Sequence, residues 1–195
     1  MLNKSAYLIR EHVGILKLTN TYDIVEPETQ LQIAIAQEKP GILIHVLRML
    51  IHKRILPSQV FVYEGSNTQD DSKLLFQIRK GMSLLTSKLE ICDKQGKSVG
   101  SLISKAFTIG GAFKIFDASG NQFGTVKGNW KGWSFQITDM AQNEIGTISK
   151  KWAGLGKELF SSADNYFVSL KSPSPASTVL LLAAGLAIDM IYKEK

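Results

Sequence analysis

Three stretches in the middle of the chain alternate apolar and polar residues and then break at an acidic turn. They are Leu89-Glu-Ile-Cys-Asp93-Lys-Gln-Gly96-Lys-Ser-Val-Gly100, Phe113-Lys-Ile-Phe-Asp117-Ala-Ser-Gly120-Asn-Gln-Phe-Gly124 and Phe135-Gln-Ile-Thr-Asp139-Met-Ala-Gln-Asn143-Glu-Ile-Gly146. Apolar residues at every second position mark a strand with one buried face. The Asp opens a turn by accepting hydrogen bonds from backbone just ahead of it, and Gly96, Gly120 and Asn143 are residue types that tolerate positive φ at the turn's close. Each unit therefore predicts a β-hairpin. Corresponding Asp residues lie 24 and 22 positions apart, a short period that favours a meander or an up-and-down barrel over a solenoid.

Further units precede these. Thr21–Val25 and Leu31–Ala36 bracket Glu26-Pro-Glu-Thr29, while Ser58–Tyr63 and Leu74–Arg79 flank the polar stretch 65–72, where Asp70 and Asp71 read as solvating residues on a mobile tip. About ten or more strands result, mostly antiparallel. Two segments depart from the pattern. Residues 40–55 predict an amphipathic helix with His45, Arg48 and His52 on one face and Ile42, Leu43, Val46, Leu47 and Leu50 opposite. The second segment, Ser177–Tyr192, is apolar on every face and contains Asp189 near its end. It is about 24 Å long as a helix, short for a bilayer core of about 30 Å. A helix through the centre of a closed barrel is the favoured reading, ahead of a transmembrane anchor, with Ala183, Ala184, Gly185 and Ala187 keeping it slim. The expectation is one domain over residues 1–195, mainly β with added α.

Composition adds a direction. The 23 Lys and Arg against 17 Asp and Glu give a formal charge of +6, which suits an anionic surface such as phospholipid head groups or nucleic acid. The charge does not choose between them, although no recognisable nucleic-acid motif is present and nucleic acid is not the expected partner. Lone Cys92 excludes an internal disulfide and suits a reducing compartment. The N-terminus is charged within its first dozen residues and lacks the apolar core of a secretory signal, giving a cytoplasmic expectation. His12, His45 and His52 make a poor metal set. No Gly-rich phosphate loop, Cys-x-x-Cys pair or Gly-x-Ser-x-Gly elbow occurs, so covalent catalysis is not expected. Basic residues interleave with tryptophans at Lys127, Trp130, Lys131 and Trp133, then at Lys150, Lys151, Trp152 and Lys157. Indoles prefer the head-group zone and lysines approach anionic lipid, so these residues, with Arg48, are the lipid-binding candidates. The alternative is that the tryptophans pack on the barrel wall while the lysines protect strand edges.

The run Ile145-Gly-Thr-Ile-Ser-Lys150-Lys-Trp152, continuing through Glu158, Phe160 and Asp164-Asn165 to the apolar helix with Asp189, resembles the C-terminal part of the phospholipid scramblase family. The upstream hairpins, with Asp117-Ala-Ser-Gly-Asn and Gly128-Asn-Trp130-Lys-Gly-Trp133, resemble it too, in an outline shared with the tubby-like and LURP-one-related groups. The resemblance implies a tubby-like closed antiparallel barrel of about twelve strands around the C-terminal helix. It implies association with phospholipid membranes, either moving lipid between leaflets or binding anionic head groups; a soluble binding module of the same fold is the alternative. The calcium segment implied by the resemblance places acids where this chain has Ser162, Asp164 and Pro173. One carboxylate of three remains, so Asp164 and Asn165 are expected to cap a turn rather than confer calcium dependence. No cofactor is expected, and a cysteine-rich acylation run has no counterpart.

Overall fold

The computed structural model describes residues 1–12, 19–41, 44, 47, 55–82, 86–105, 112–129, 132–150 and 165–193. Twelve strands form a closed antiparallel barrel in which each pairs with its neighbours in sequence and β1 closes on β12. They are β1 (Ala6–Glu11), β2 (Thr21–Val25), β3 (Gln32–Glu38), β4 (Ser58–Glu64), β5 (Leu74–Lys80), β6 (Thr86–Asp93), β7 (Ser98–Lys105), β8 (Ala112–Asp117), β9 (Gln122–Asn129), β10 (Ser134–Thr138), β11 (Glu144–Ser149) and β12 (Asn165–Leu170). The helix α1 (Pro175–Ile188) follows and continues into a wider turn over Asp189–Lys193.

The hairpin signal in the sequence has the expected physical basis. Asp93 Oδ1 accepts from the Gln95 and Lys97 amides, Asp117 Oδ1 from those of Ser119 and Asn121. Gly96 and Gly120 have φ of 80° and 81°. The third unit needs a correction: Gln142 (φ 65°), and not Asn143, takes the positive φ. It stands three residues after Asp139, as Gly96 and Gly120 stand three after their Asp, whereas Asn143 donates to Asp139 as Asn121 does to Asp117. The stretch at 65–72 is also more structured than expected. Asp70 Oδ1 caps the short 3-10 turn Asp71–Lys73 through the Ser72 amide, and Tyr63 Oη donates to Asp71 Oδ1 at 3.4 Å.

A regularity emerges that the three repeats only partly revealed. Register shifts fall at Ile24/Val25, Val62/Tyr63, Ile91/Cys92, Ile115/Phe116 and Ile137/Thr138. Each is at the C-terminal end of an even-numbered strand, and an acidic residue follows in every case. All five lie at one end of the barrel, where such irregularities bend the strand and increase its local twist. We refer to this end, which also holds the start of α1, as the turn end. The opposite one, where β1 leads to β2, β3 to β4 and β11 to β12, is the loop end.

The glycines that end the first and third repeats, Gly100 and Gly146, have a steric reason. A Cβ at Gly100 would stand 2.5 Å from the Phe116 carbonyl oxygen and 2.6 Å from Leu180 Cδ2; one at Gly146 would stand 2.5 Å from the Ser169 carbonyl oxygen and 2.6 Å from Leu181 Cδ2. These inward positions must be empty for neighbouring strands and the central helix to fit. Ser174 and Ser177 start that helix with reciprocal capping bonds, and Pro175 sits at its first position. Every residue from Thr178 to Ile188 is buried, as are Met190 and Ile191. The helix is therefore enclosed, as expected, with regular α-geometry that starts at Pro175 and ends at Ile188, four residues before Tyr192. Its 14 residues span about 21 Å, close to the length of six extended residues at about 3.3 Å each. No described helix is long and apolar enough to cross a membrane.

Cys92 is buried, and burial raises its thiol pKa. Of the amphipathic helix expected near residues 40–55, Ile44 and Leu47 are helical; the rest, with His45, Arg48 and His52, lies outside the described residues.

Candidate functional site

The period-2 pattern that fills the barrel with apolar residues changes chemistry at the loop end. Ala34 and Ala36 face the core, and the next inward residue on β3 is Glu38; the corresponding steps lead to Ser58 on β4, Lys80 on β5, Ser87 on β6 and Ser104 on β7. All five are buried, with 2–6% of their surface exposed. Burying charge and hydroxyls demands partners. Ser58 Oγ donates to Glu38 Oε1 at 2.5 Å, the Asn20 amide to Glu38 Oε2 at 3.1 Å, and Lys80 Nζ to the Leu56 carbonyl at 2.7 Å. At the end of the helix, Asp189 accepts from Tyr22 Oη at 2.5 Å. Burial first, and then the nearby Asp189 carboxylate, hold the Tyr22 and Tyr166 hydroxyls well above the ordinary tyrosine range.

On the other side of the mouth, Trp133 stacks on Tyr166 with ring centroids 5.0 Å apart and packs against the core. Lys150 Nζ lies 5.4 Å from the centre of the indole, and the Lys150 amide donates to the Trp133 carbonyl at 3.1 Å. Trp133 has φ of 45°, an uncommon backbone for a bulky residue and one that persists where surroundings impose it. The structure thus joins Trp133 and Lys150 at the loop end, with the indole closing the core. Lys127 is exposed near the end of β9, on the same side of the barrel. Asn165 opens β12 in register with Arg10. The candidates Arg48, Trp130, Lys131, Lys151, Trp152 and Lys157, and the calcium candidate Asp164, lie outside the described residues. Among the described residues no group of three or more His, Cys, Asp or Glu side chains is placed to hold a metal.

A groove that sequence reasoning missed opens between β4, β5 and β6 at the loop end. Its volume is about 630 Å³, and its lining includes Lys39, Arg79, Lys80 and Lys88, with Glu90 as the one acid in that lining. The cations come from three separate parts of the chain, so no sequence cluster announces them. Lys39 Nζ donates to Tyr63 Oη and the Thr68 carbonyl, both at 2.9 Å, and lies over the Tyr63 ring. Arg79 and Lys88 are exposed.

The topology also sorts charge between the ends. By sequence, the six connections at the loop end contain Lys17, Lys39, Arg48, Lys53 and Arg54, followed by Lys131, Lys150, Lys151 and Lys157: nine basic residues, against the acids Glu158 and Asp164. The six connections at the turn end contain four basic residues, Lys73, Lys94, Lys97 and Lys171, against five acidic ones, Glu26, Glu28, Asp70, Asp71 and Asp139.

The sequence model of the scramblase family matches residues 20–195, nearly the whole barrel and its helix. The chain belongs to the scramblase family. No curated protein and no solved structure matches it. Membership in the scramblase family supports a lipid-associated role for a barrel with this cationic loop end.

Proposed function

We propose that this scramblase-family chain is a peripheral membrane protein whose loop end rests on anionic phospholipid without requiring calcium. The observation that carries this reading is the division of charge: nine basic and two acidic residues in the connections at one end, four and five at the other. A basic residue near an anionic surface contributes about 1 kcal/mol, so engagement of even half of the loop-end cations would hold the chain there at low salt. The family match, and an indole beside Lys150 at the same end, support the same partner.

Calcium independence rests on Ser162 and Pro173, which stand where the resemblance places acids. Calcium takes six to eight oxygens, several of them charged at useful affinity. Because α1 fills the barrel, the interior offers lipid no passage, and any movement of lipid between leaflets would be promoted from the bilayer surface.

The test is a combined variant, Arg48→Gln, Lys131→Gln, Lys150→Gln and Lys151→Gln, assayed by co-sedimentation with vesicles containing phosphatidylserine. Release of the variant with its far-ultraviolet circular dichroism spectrum retained is expected. Binding equal to wild type would overturn the charge argument. A wild-type chain that ignores the vesicles would leave a soluble binding module as the reading.

A further inference from the structure

We propose that Asp189 centres a polar lock across the seam of the barrel, the place where the first strand meets the last: it binds Tyr22 of β2 directly and Tyr166 of β12 through one enclosed water molecule. The lock is independent of the membrane reading above. It adds an internal water site and a reason for the buried charge at the end of the helix.

Strands from opposite ends of the chain form the seam. β1 lies between β12 and β2, with Ile9 in register with Tyr166 and Glu11 with Tyr22. The central helix is pressed against this wall. A Cβ at Gly185 would stand 2.9 Å from Val168 Cγ2, 3.3 Å from Tyr166 Cε2 and 3.6 Å from Ile9 Cδ1. Glycine is unfavourable inside a helix, but here it leaves the Tyr166 ring its place. Asp189 follows four residues later, on the same helical face and one turn nearer the loop end.

Tyr22, Tyr166 and Asp189 are all buried, with 0–2% of their surface exposed. The bond from Tyr22 Oη to Asp189 Oδ2 joins residues 167 positions apart, and its length of 2.5 Å is that of a charge-assisted bond. Tyr166 Oη has no hydrogen-bond partner in the protein. A buried hydroxyl without one is costly and rare. The Asp189 carboxylate lies near enough for its charge to help raise the pKa of the Tyr166 hydroxyl, yet it accepts no bond from it. Two polar groups this close and not bonded are the setting in which one water bridges, accepting from Tyr166 Oη and donating to the carboxylate. Trp133, stacked on the Tyr166 ring, holds the phenol in this orientation. One carboxylate thus ties the end of the helix to both strands that flank β1.

The test compares the full wild-type chain with Tyr166→Phe and Tyr22→Phe, each of which removes one hydroxyl and keeps the ring. In urea unfolding, Tyr166→Phe should raise the unfolding equilibrium constant about threefold to tenfold, the loss of one net hydrogen bond, and Tyr22→Phe about tenfold or more, because its partner is charged. The sign for Tyr166→Phe decides the water. Removal of a hydroxyl that bonds nothing would leave the constant unchanged or lower it, and that result would overturn the bridge. A high-resolution crystal structure of the wild-type chain should show one water within hydrogen-bond distance of both Tyr166 Oη and Asp189; a Tyr166 hydroxyl with no such neighbour would overturn it equally. Amide hydrogen exchange locates the lock. Tyr22→Phe should accelerate exchange in β1, β2 and β12 more than in β6 to β8, on the far wall. Equal acceleration around the whole barrel would overturn the assignment of the lock to the seam.

Discussion

Substituting Gly146 tests the fit between barrel and helix at its tightest point. In Gly146→Ala the new methyl would meet Leu181 Cδ2 at 2.6 Å and the Ser169 carbonyl oxygen at 2.5 Å. Carbon atoms settle at about 3.5–4.0 Å, so the overlap with the leucine approaches 1 Å. Leu181 is 1% exposed and has no solvent to move into. Overpacking of this kind costs about 1–3 kcal/mol. Leu181→Ala removes the colliding methyl together with the rest of the isobutyl group and costs about 2–5 kcal/mol as a core truncation. In the double variant the collision with Leu181 is gone and the one with Ser169 remains. Its destabilisation should therefore fall short of the sum of the two singles by about 1 kcal/mol or more, the coupling typical of residues in contact. Equilibrium unfolding in urea, followed by circular dichroism on all four proteins, measures this directly. Additive costs, within about 0.5 kcal/mol, would refute the claim that α1 is pressed against β11.

Three other predictions follow from the same interior and from the calcium segment. Leu181→Asp should abolish the folded near-ultraviolet signal, because a carboxylate buried among apolar side chains without a partner costs as much as a typical domain's whole stability, about 5–15 kcal/mol; a folded variant would contradict the enclosed helix. Two of the five tyrosines, Tyr22 and Tyr166, should resist ionisation in an absorbance titration until the chain unfolds. Their hydroxyl pKa values are raised in the folded state, so the associated stability is complete below about pH 10 and is lost as pH rises beyond it, where the unfolded chain releases protons that the native barrel retains. Calorimetry with calcium at signalling concentrations should give no saturable heat, and a saturable heat abolished by Asp164→Ala would show that the segment binds after all.

Much of the fold could be read from the chain because its local signals agree with its global form. Asp93, Asp117 and Asp139 close their turns by backbone contacts that reach no farther than four residues, and such contacts are visible at sequence range. The all-round apolarity of Val179 to Ile188 leaves the barrel interior as a place to be buried. Glu38, Lys80 and Asp189 were not legible as buried residues. Their type signals solvent, and only barrel closure, which aligns distant strand ends, turns their alternation phase into burial at the mouth. The groove was hidden for a related reason, since Lys39, Arg79 and Lys88 line it from separate segments that strand pairing brings together. Trp133 shows the converse. Sequence linked it to lysines and lipid, while the structure places its indole on Tyr166 and against the core, so its larger contribution is to closing the barrel. Gly100 and Gly146 were visible as a motif, but their reason lies in the approach of Leu180 and Leu181, residues more than thirty positions later in the chain.

The most direct test of the account is sedimentation of the unmodified chain with vesicles in the presence of a calcium chelator, comparing phosphatidylcholine alone with phosphatidylcholine plus phosphatidylserine, at low salt and at 1 M salt. The account predicts binding only to the anionic vesicles, and loss of that binding as the screening length contracts to about 3 Å at 1 M. Equal binding to both lipids, or no binding to anionic vesicles at low salt, would contradict it.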